Sequence, residues 1–264
     1  MLRVEAVSVS FGGVQALGGV SLDAGAGAVT GLIGPNGAGK TTLFNVVTGF
    51  QRPARGSVSV DGRDITGLRP HTRARLGLGR TFQRLELFGS LSARENVLVG
   101  IEARPGRADR DGDRHRAADE ILERVGLRSV ADRQADTLPT GMARLVELGR
   151  ALGTRPKLLL LDEPSSGLDH GETETLGRLL AGLAGEGMAV LLVEHDVDLV
   201  MRVCSRVHVL DFGQVIAVGT PAEVQADAKV QLAYLGAEAG PGGRPAGTAG
   251  ADSPAQDSGA GVGG

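Results

Sequence analysis

The sequence predicts an α/β fold, and three observations predict it. Residues 28–33, 157–161 and 188–193 are dense apolar runs, as expected of strands buried on both faces of a sheet. Each run ends in glycine or in polar groups, and stretches of helical pattern separate them. The first ends in Gly34-Pro35-Asn36-Gly37-Ala38-Gly39-Lys40-Thr41-Thr42, which reads G-x-x-x-x-G-K-T and leads into a helical stretch stopped by Gly49.

That glycine loop organises the chain. Glycines let backbone N–H groups turn inward around phosphate oxygens, where a Cβ would clash. The N-terminus of the following helix adds unpaired N–H groups and a partial positive charge facing the same anion. Lys40 is placed to reach the β- and γ-phosphates of a nucleotide, and the Thr41 hydroxyl to ligate Mg²⁺. A plain turn is the alternative in a chain with 42 glycines. The strand before the loop, the helix after it and the scarcity of lysine argue against that alternative.

Composition sets the outer bounds. The 264 residues suit one large domain or two small ones, and 41% hydrophobic content is enough for a sizeable core. A net charge of −3 gives no global basic field, so no nucleic-acid partner is expected. The single cysteine, Cys204, excludes an internal disulfide and suits a reducing cytosol. The five histidines do not cluster with it, so no zinc site is expected. The N-terminus lacks the apolar core of a signal peptide, and no apolar run approaches a membrane span. The expectation is a soluble chain able to dock on a membrane protein.

Taken in order, residues 2–9 read as a strand and Phe11-Gly12-Gly13 as a turn. Aromatics are 3% of the chain, so a phenylalanine before a nucleotide loop is a candidate to stack on adenine; packing in the core is its alternative. Residues 57–62 read as strand then turn, residues 70–78 as an arginine-rich helix, and residues 79–83 as a short strand ending in Gln83. From about 90 to 153 the pattern is helical, with a capping box at Ser92 and Glu95. Residues 104–116 mix both charge signs and read as a solvated loop or helix start, with an interaction arm as the alternative. Ile121, Leu122 and Val125 follow at helical spacing, and Gly126 ends that helix.

The second run ends in Asp162-Glu163. In open α/β sheets ligands sit at the carboxyl ends of the strands. There Asp162 is placed to hold Mg²⁺ and Glu163 to polarise an attacking water. The third run ends in Glu194-His195-Asp196, which makes His195 a candidate for γ-phosphate contact. Residues 207–210 and 215–218 read as a hairpin across Asp211-Phe212-Gly213-Gln214. The triplet Asp211-Phe212-Gly213 also occurs in kinases, but no kinase catalytic-loop motif accompanies it. Thr220-Pro221-Ala222-Glu223 starts the last helix expected, with N-cap, N1 proline and capping-box glutamate. From 237 to 264 the chain is rich in Gly, Ala and Pro and is expected to be a disordered tail.

The order of these elements resembles the ATP-binding-cassette ATPases over residues 1–236. The resemblance implies a P-loop NTPase domain with a RecA-like core, an antiparallel β subdomain and an inserted helical subdomain at about 90–153. It implies ATP and Mg²⁺ as ligands. It also implies roles: Gly34, Pro35, Asn36, Gly37, Ala38, Gly39, Lys40, Thr41 and Thr42 as the phosphate loop; Gln83 as contact to Mg²⁺ and to the membrane partner; Asp162 as the metal aspartate; Glu163 as the catalytic glutamate; His195 as the switch histidine; and Phe11 as the adenine-stacking aromatic. Residues 165–169 look like the loop that contacts the opposite subunit through Asp169.

Within that family the chain looks like the subunits that power uptake of branched-chain amino acids, in Arg80-Thr81-Phe82-Gln83, in residues 95–100, in Val193-Glu194-His195-Asp196, and in residues 217–224 and 233–236. Urea and short-amide importers and some lipopolysaccharide-export ATPases share this look. The resemblance implies a second ATPase subunit, two transmembrane permease subunits, an extracytoplasmic solute-binding protein acting indirectly, and a peripheral place on the cytoplasmic face of the membrane. One departure stands out. Where the family typically has L-S-G-G-Q, this chain has Leu138-Pro139-Thr140-Gly141-Met142. Pro139 offers neither the hydroxyl nor the N–H of the family's serine, and Met142 lacks the amide of the usual glutamine. A nucleotide-binding regulatory module with weak hydrolysis is therefore a second reading, and a cassette protein acting on DNA or ribosomes a third.

Overall fold

The computed structural model describes residues 1–104 and 111–238. The chain opens with two long strands, β1 (Leu2–Phe11) and β2 (Val14–Ala24), joined at a tight turn. Strand β3 (Ala28–Ile33) leads through the glycine loop into helix α1 (Lys40–Thr48). Gly49 closes α1 in the left-handed conformation, as a C-terminal glycine does. Then come β4 (Arg55–Val60), β5 (Arg63–Asp64), the short helix α2 (Pro70–Arg75) and β6 (Leu78–Arg80). Two expectations shift here. The helix expected over 70–78 stops at Arg75, because Gly77 turns left-handed and Leu78 pairs with Leu158 as an edge strand. That strand ends at Arg80, so Gln83 lies beyond it.

Helices α3 (Ala93–Glu102), α4 (Asp111–Arg124) and α5 (Thr140–Gly153) fill the region of helical pattern, with two 3₁₀ turns between α4 and α5. The capping box at Ser92 and Glu95 is formed. Of the charged stretch 104–116, residues 105–110 lie outside the described residues and 111–116 open α4. Gly100 and Gly153 let α3 and α5 approach closely: a Cβ on Gly100 would collide with the Arg150 carbonyl.

The remaining elements are β7 (Leu158–Asp162), α6 (His170–Gly185), β8 (Ala189–Val193), α7 (Val197–Val203), β9 (Arg206–Asp211), β10 (Gln214–Gly219), α8 (Pro221–Ala226) and α9 (Ala228–Glu238). The hairpin of β9 and β10 is the one expected. The helix at Thr220 is not the last, because α9 follows it after Asp227. The tail expected from 237 starts later, since 237–238 belong to α9, and residues 239–264 lie outside the described residues.

Among the described residues the strands form two sheets. One is antiparallel, in the order β2-β1-β4-β5. The other runs β10-β9-β3-β8-β7-β6, with parallel pairing throughout except for the β9–β10 hairpin. Every residue of β7 and β8 is buried, which is why both read as unbroken apolar runs. Two apolar clusters hold the fold. One joins α3–α6 to one face of the parallel sheet; the other packs α1 between the opposite face and the antiparallel sheet. The consequence for function is positional: β3, β8 and β7 are neighbours in parallel, so the tips that follow them open at one edge.

Candidate functional site

The glycine loop is shaped by close approach as well as by turning. Gly34 has φ 150° and sits so near the Leu210 carbonyl that a Cβ would overlap it. Gly39, the N-cap of α1, has φ 105° and faces the backbone of Ala16 and the side chain of Leu17 on β2. The loop is further tied down by the Gly213 N–H, which donates to the Ala38 carbonyl at 2.9 Å. Lys40 is buried, and its Nζ donates to the carbonyls of Gly34 at 2.5 Å and Pro35 at 3.0 Å. Burial pushes the ammonium pKa down, and the carboxylates of Glu163 and Asp162 act against that shift. Both acids stand at the end of β7, which only β8 separates from the strand that leads into the loop. Asn36, Gly37 and Thr41 are exposed at its mouth, and Thr42 is half-buried.

Asp162 ends β7 and is 2% exposed. Desolvation raises its carboxyl pKa, while the Arg80 guanidinium opposes the shift. Arg80 Nη2 lies 3.6 Å from Asp162 Oδ2, which accepts no hydrogen bond among the described residues. A buried carboxylate oxygen short of donors suits a hard cation. No cluster of three or more His, Cys, Asp or Glu that could hold a metal occurs among the described residues. Mg²⁺ is commonly held by one or two carboxylates together with substrate phosphates, and the Asp162 carboxylate has the chemistry for that role.

Glu163 follows in the left-handed conformation at φ 51°. This conformation is uncommon for a non-glycine residue and clusters at functional sites. Its N–H is anchored to the Val193 carbonyl at 2.9 Å, and its own carbonyl accepts from Ser166 at 3.2 Å. The side chain meets His195, with Oε1 2.9 Å from Nε2. Glu194, 3% exposed, ties the two loops together: one carboxylate oxygen accepts from the Ser165 N–H at 2.8 Å, the other from the His195 N–H at 3.1 Å.

The other candidate residues lie around this centre. Gln83 is exposed, and its carbonyl accepts from Arg144 at 2.8 Å. Arg144, in the first turns of α5, also donates to the Phe82 and Ser166 carbonyls, which links the Gln83 segment to the loop after Glu163. Pro139 is the N-cap of α5 and provides no side-chain cap; Thr140 is exposed, Met142 half-buried, and Gly141 packs beneath Gly167 and Leu168. Asp169 is exposed and caps α6 through the Glu172 N–H at 2.8 Å. Phe11 ends β1 and is 50% exposed, so it is not a core residue. The structure thus gathers Lys40, Asp162, Glu163 and His195. Gln83 and the 139–142 segment are joined to that group by way of Arg144 and the 165–168 loop. Sequence reading gave no role to Arg80, Arg144 or Glu194, although each stands beside a residue it did single out.

Comparison with known proteins gives a consistent answer. Residues 17–166 match the family model described as ABC transporter, and residues 214–240 match the model described as branched-chain amino acid ATP-binding cassette transporter. The high-affinity branched-chain amino acid transport ATP-binding protein BraF of Pseudomonas aeruginosa is 41% identical over 251 residues, covering 89% of this chain and 98% of BraF. The crystal structure of a nucleotide-free ATP-binding cassette from an ABC transporter superposes with a TM-score of 0.81 at 35% identity, covering 89% of this chain and 98% of that one. A dimeric post-hydrolysis cassette bound to ADP and phosphate, MJ0796, superposes at 0.77 with 27% identity, covering 84% of this chain and 99% of that one.

Proposed function

The chain belongs to the ABC transporter family of ATP-binding subunits, and from that premise we propose that it is the ATP-hydrolysing subunit of an importer of branched-chain amino acids. The observation that carries the reading is the meeting of Lys40, Asp162, Glu163 and His195 at the tips of three neighbouring parallel strands. The cargo is supported by the match over residues 214–240 and by the likeness to BraF.

In this reading the loop N–H groups and Lys40 bind the β- and γ-phosphates of ATP. Phosphate oxygens take over the Lys40 protons now donated to the Gly34 and Pro35 carbonyls. Thr41, Gln83 and Asp162 would hold Mg²⁺, which supplies charge neutralisation on the phosphates when bound. Glu163 accepts a proton from the attacking water, and His195 holds the Glu163 carboxylate and the γ-phosphate in line. Phe11 stacks on the adenine.

In this reading a second copy or paralogue completes each nucleotide site through residues 139–142 and Asp169; the similar cassette MJ0796 is dimeric. Pro139 weakens that contribution, because it brings neither hydroxyl nor N–H. Among the described residues no helix is long and apolar enough to cross a membrane; the attachment proposed here is to two permease subunits. A cleft of about 480 Å³ between β6 and the helices α3 and α5, lined by Phe82, Leu87, Phe88, Val99 and Arg150, is the docking place we assign to a permease segment.

The test is ATP hydrolysis by the chain reconstituted in membranes with a candidate permease pair and its solute-binding protein. Stimulation by leucine, isoleucine or valine is expected. Failure to assemble on any permease pair, or stimulation by an unrelated solute alone, contradicts the reading.

A further inference from the structure

Arg80 is the last residue of the edge strand β6, opposite Leu160 of β7 and therefore beside the strand that carries Asp162. Its side chain is 8% exposed. Three aromatic rings surround the guanidinium, with centroids at 4.8 Å (Phe82), 5.7 Å (Phe44) and 5.9 Å (Phe50) from its central carbon. Phe50 and Phe82 meet edge to face at 6.1 Å. The whole chain has six phenylalanines, so half of them surround one cation. The polar contacts are as specific. Nη1 donates to Asn45 Oδ1 at 2.8 Å and to Thr48 Oγ1 at 3.0 Å, both on α1. Nη2 stands 3.6 Å from Asp162 Oδ2.

Burying a guanidinium costs free energy unless its donors and charge are matched. Here ring faces, side-chain oxygens and the Thr81 carbonyl, which accepts from Nε at 3.3 Å, surround it, and among the described residues its ion-pair partner is a single carboxylate. A lysine would keep the charge but lose the planar fork and the stacking. Nothing in the hydrolytic chemistry itself uses this cation.

We propose that Arg80 is the positioning residue for the Asp162 carboxylate, anchored by the phenylalanine cage and by α1 so that the carboxylate is presented to the metal in one orientation. The proposal rests on the reading of Asp162 as the metal carboxylate. It also gives the docking cleft a physical route to the metal site, because Arg80 and Phe82 both line that cleft. A segment that displaces Phe82 loosens the cage, and through it the carboxylate.

The experiment is a Mn²⁺ titration of the full chain with a non-hydrolysable ATP analogue, read by electron paramagnetic resonance. Metal-free binding of the analogue is measured alongside. For Arg80→Met, Mn²⁺ affinity is expected to fall about 10–100-fold, the usual loss when a group that orients a metal ligand is removed. Arg80→Lys should lie between Met and wild type, Phe82→Leu should shift in the same direction, and metal-free binding should stay near wild type in all three. Should Arg80→Met fail to fold, Arg80→Lys carries the test. Wild-type Mn²⁺ affinity in Arg80→Lys, even with a lowered melting temperature, would make the residue purely structural and overturn the proposal. Asp162→Asn separates the two layers: wild-type Mn²⁺ affinity there sinks the reading of Asp162 itself. A loss confined to Asp162→Asn sinks only the role of Arg80.

Discussion

His195 Nε2 lies 2.9 Å from Glu163 Oε1, across 32 residues of sequence and between the tips of two adjacent strands. With Glu163 as a carboxylate, the proton of that contact sits on Nε2. His195 is 45% exposed, so little packing depends on it. His195→Ala should therefore leave the fold and ATP affinity intact while lowering kcat about 10²-fold, the loss seen when one aligned donor is removed. Steady-state ATPase kinetics at saturating ATP check this, and a change confined to KM would contradict it.

The helix that follows Pro139 gives a second prediction. Pro139 has extended backbone angles and caps α5 without a side-chain acceptor. A serine fits those angles and can accept from the second or third N–H of the helix. Pro139→Ser should then stabilise the chain by about 0.5–2 kcal/mol. In the assembled dimer it should also raise turnover, since the new hydroxyl and N–H face the partner's nucleotide in our reading. Denaturant melts and ATPase assays of the complex measure the two effects separately.

Glu147 predicts a pH dependence. It lies in α5, 2% exposed, and burial pushes its carboxyl pKa up to about 7, with Arg150 opposing. A carboxyl whose pKa is higher folded than unfolded favours the folded chain most when protonated. Its contribution is fully present below the unfolded value of 4.5 and is lost as pH rises through about 7. Glu147→Gln should flatten this part of the stability profile between pH 5 and 8. Urea melts of both proteins across that window supply the comparison.

These groups were not equally visible in the sequence. The loop before Lys40, the Asp162-Glu163 pair and His195 each end an apolar run, and a buried parallel strand with a polar tip is a local pattern. The capping boxes at Ser92 and Thr220 are local in the same way. Arg80, Arg144 and Glu194 act through hydrogen-bond partners 22 to 62 residues away in some cases and through ring faces in others, and no spacing rule reaches them. The edge strand at Leu78 escaped because its pairing with Leu158 outweighed a helical pattern only three residues longer than the helix itself. Helix α9 was passed over because its apolar residues do not gather on one face, which leaves little periodic signal.

The central claim is that Glu163 takes the proton of the attacking water beside the loop that carries Lys40. Glu163→Gln tests it most directly, because the substitution keeps the shape and removes the base. The measurement is ATP binding and ATP turnover on the same preparation of the assembled transporter. The account predicts wild-type binding with turnover lowered by about 10²–10⁴. Turnover at the wild-type rate would contradict it.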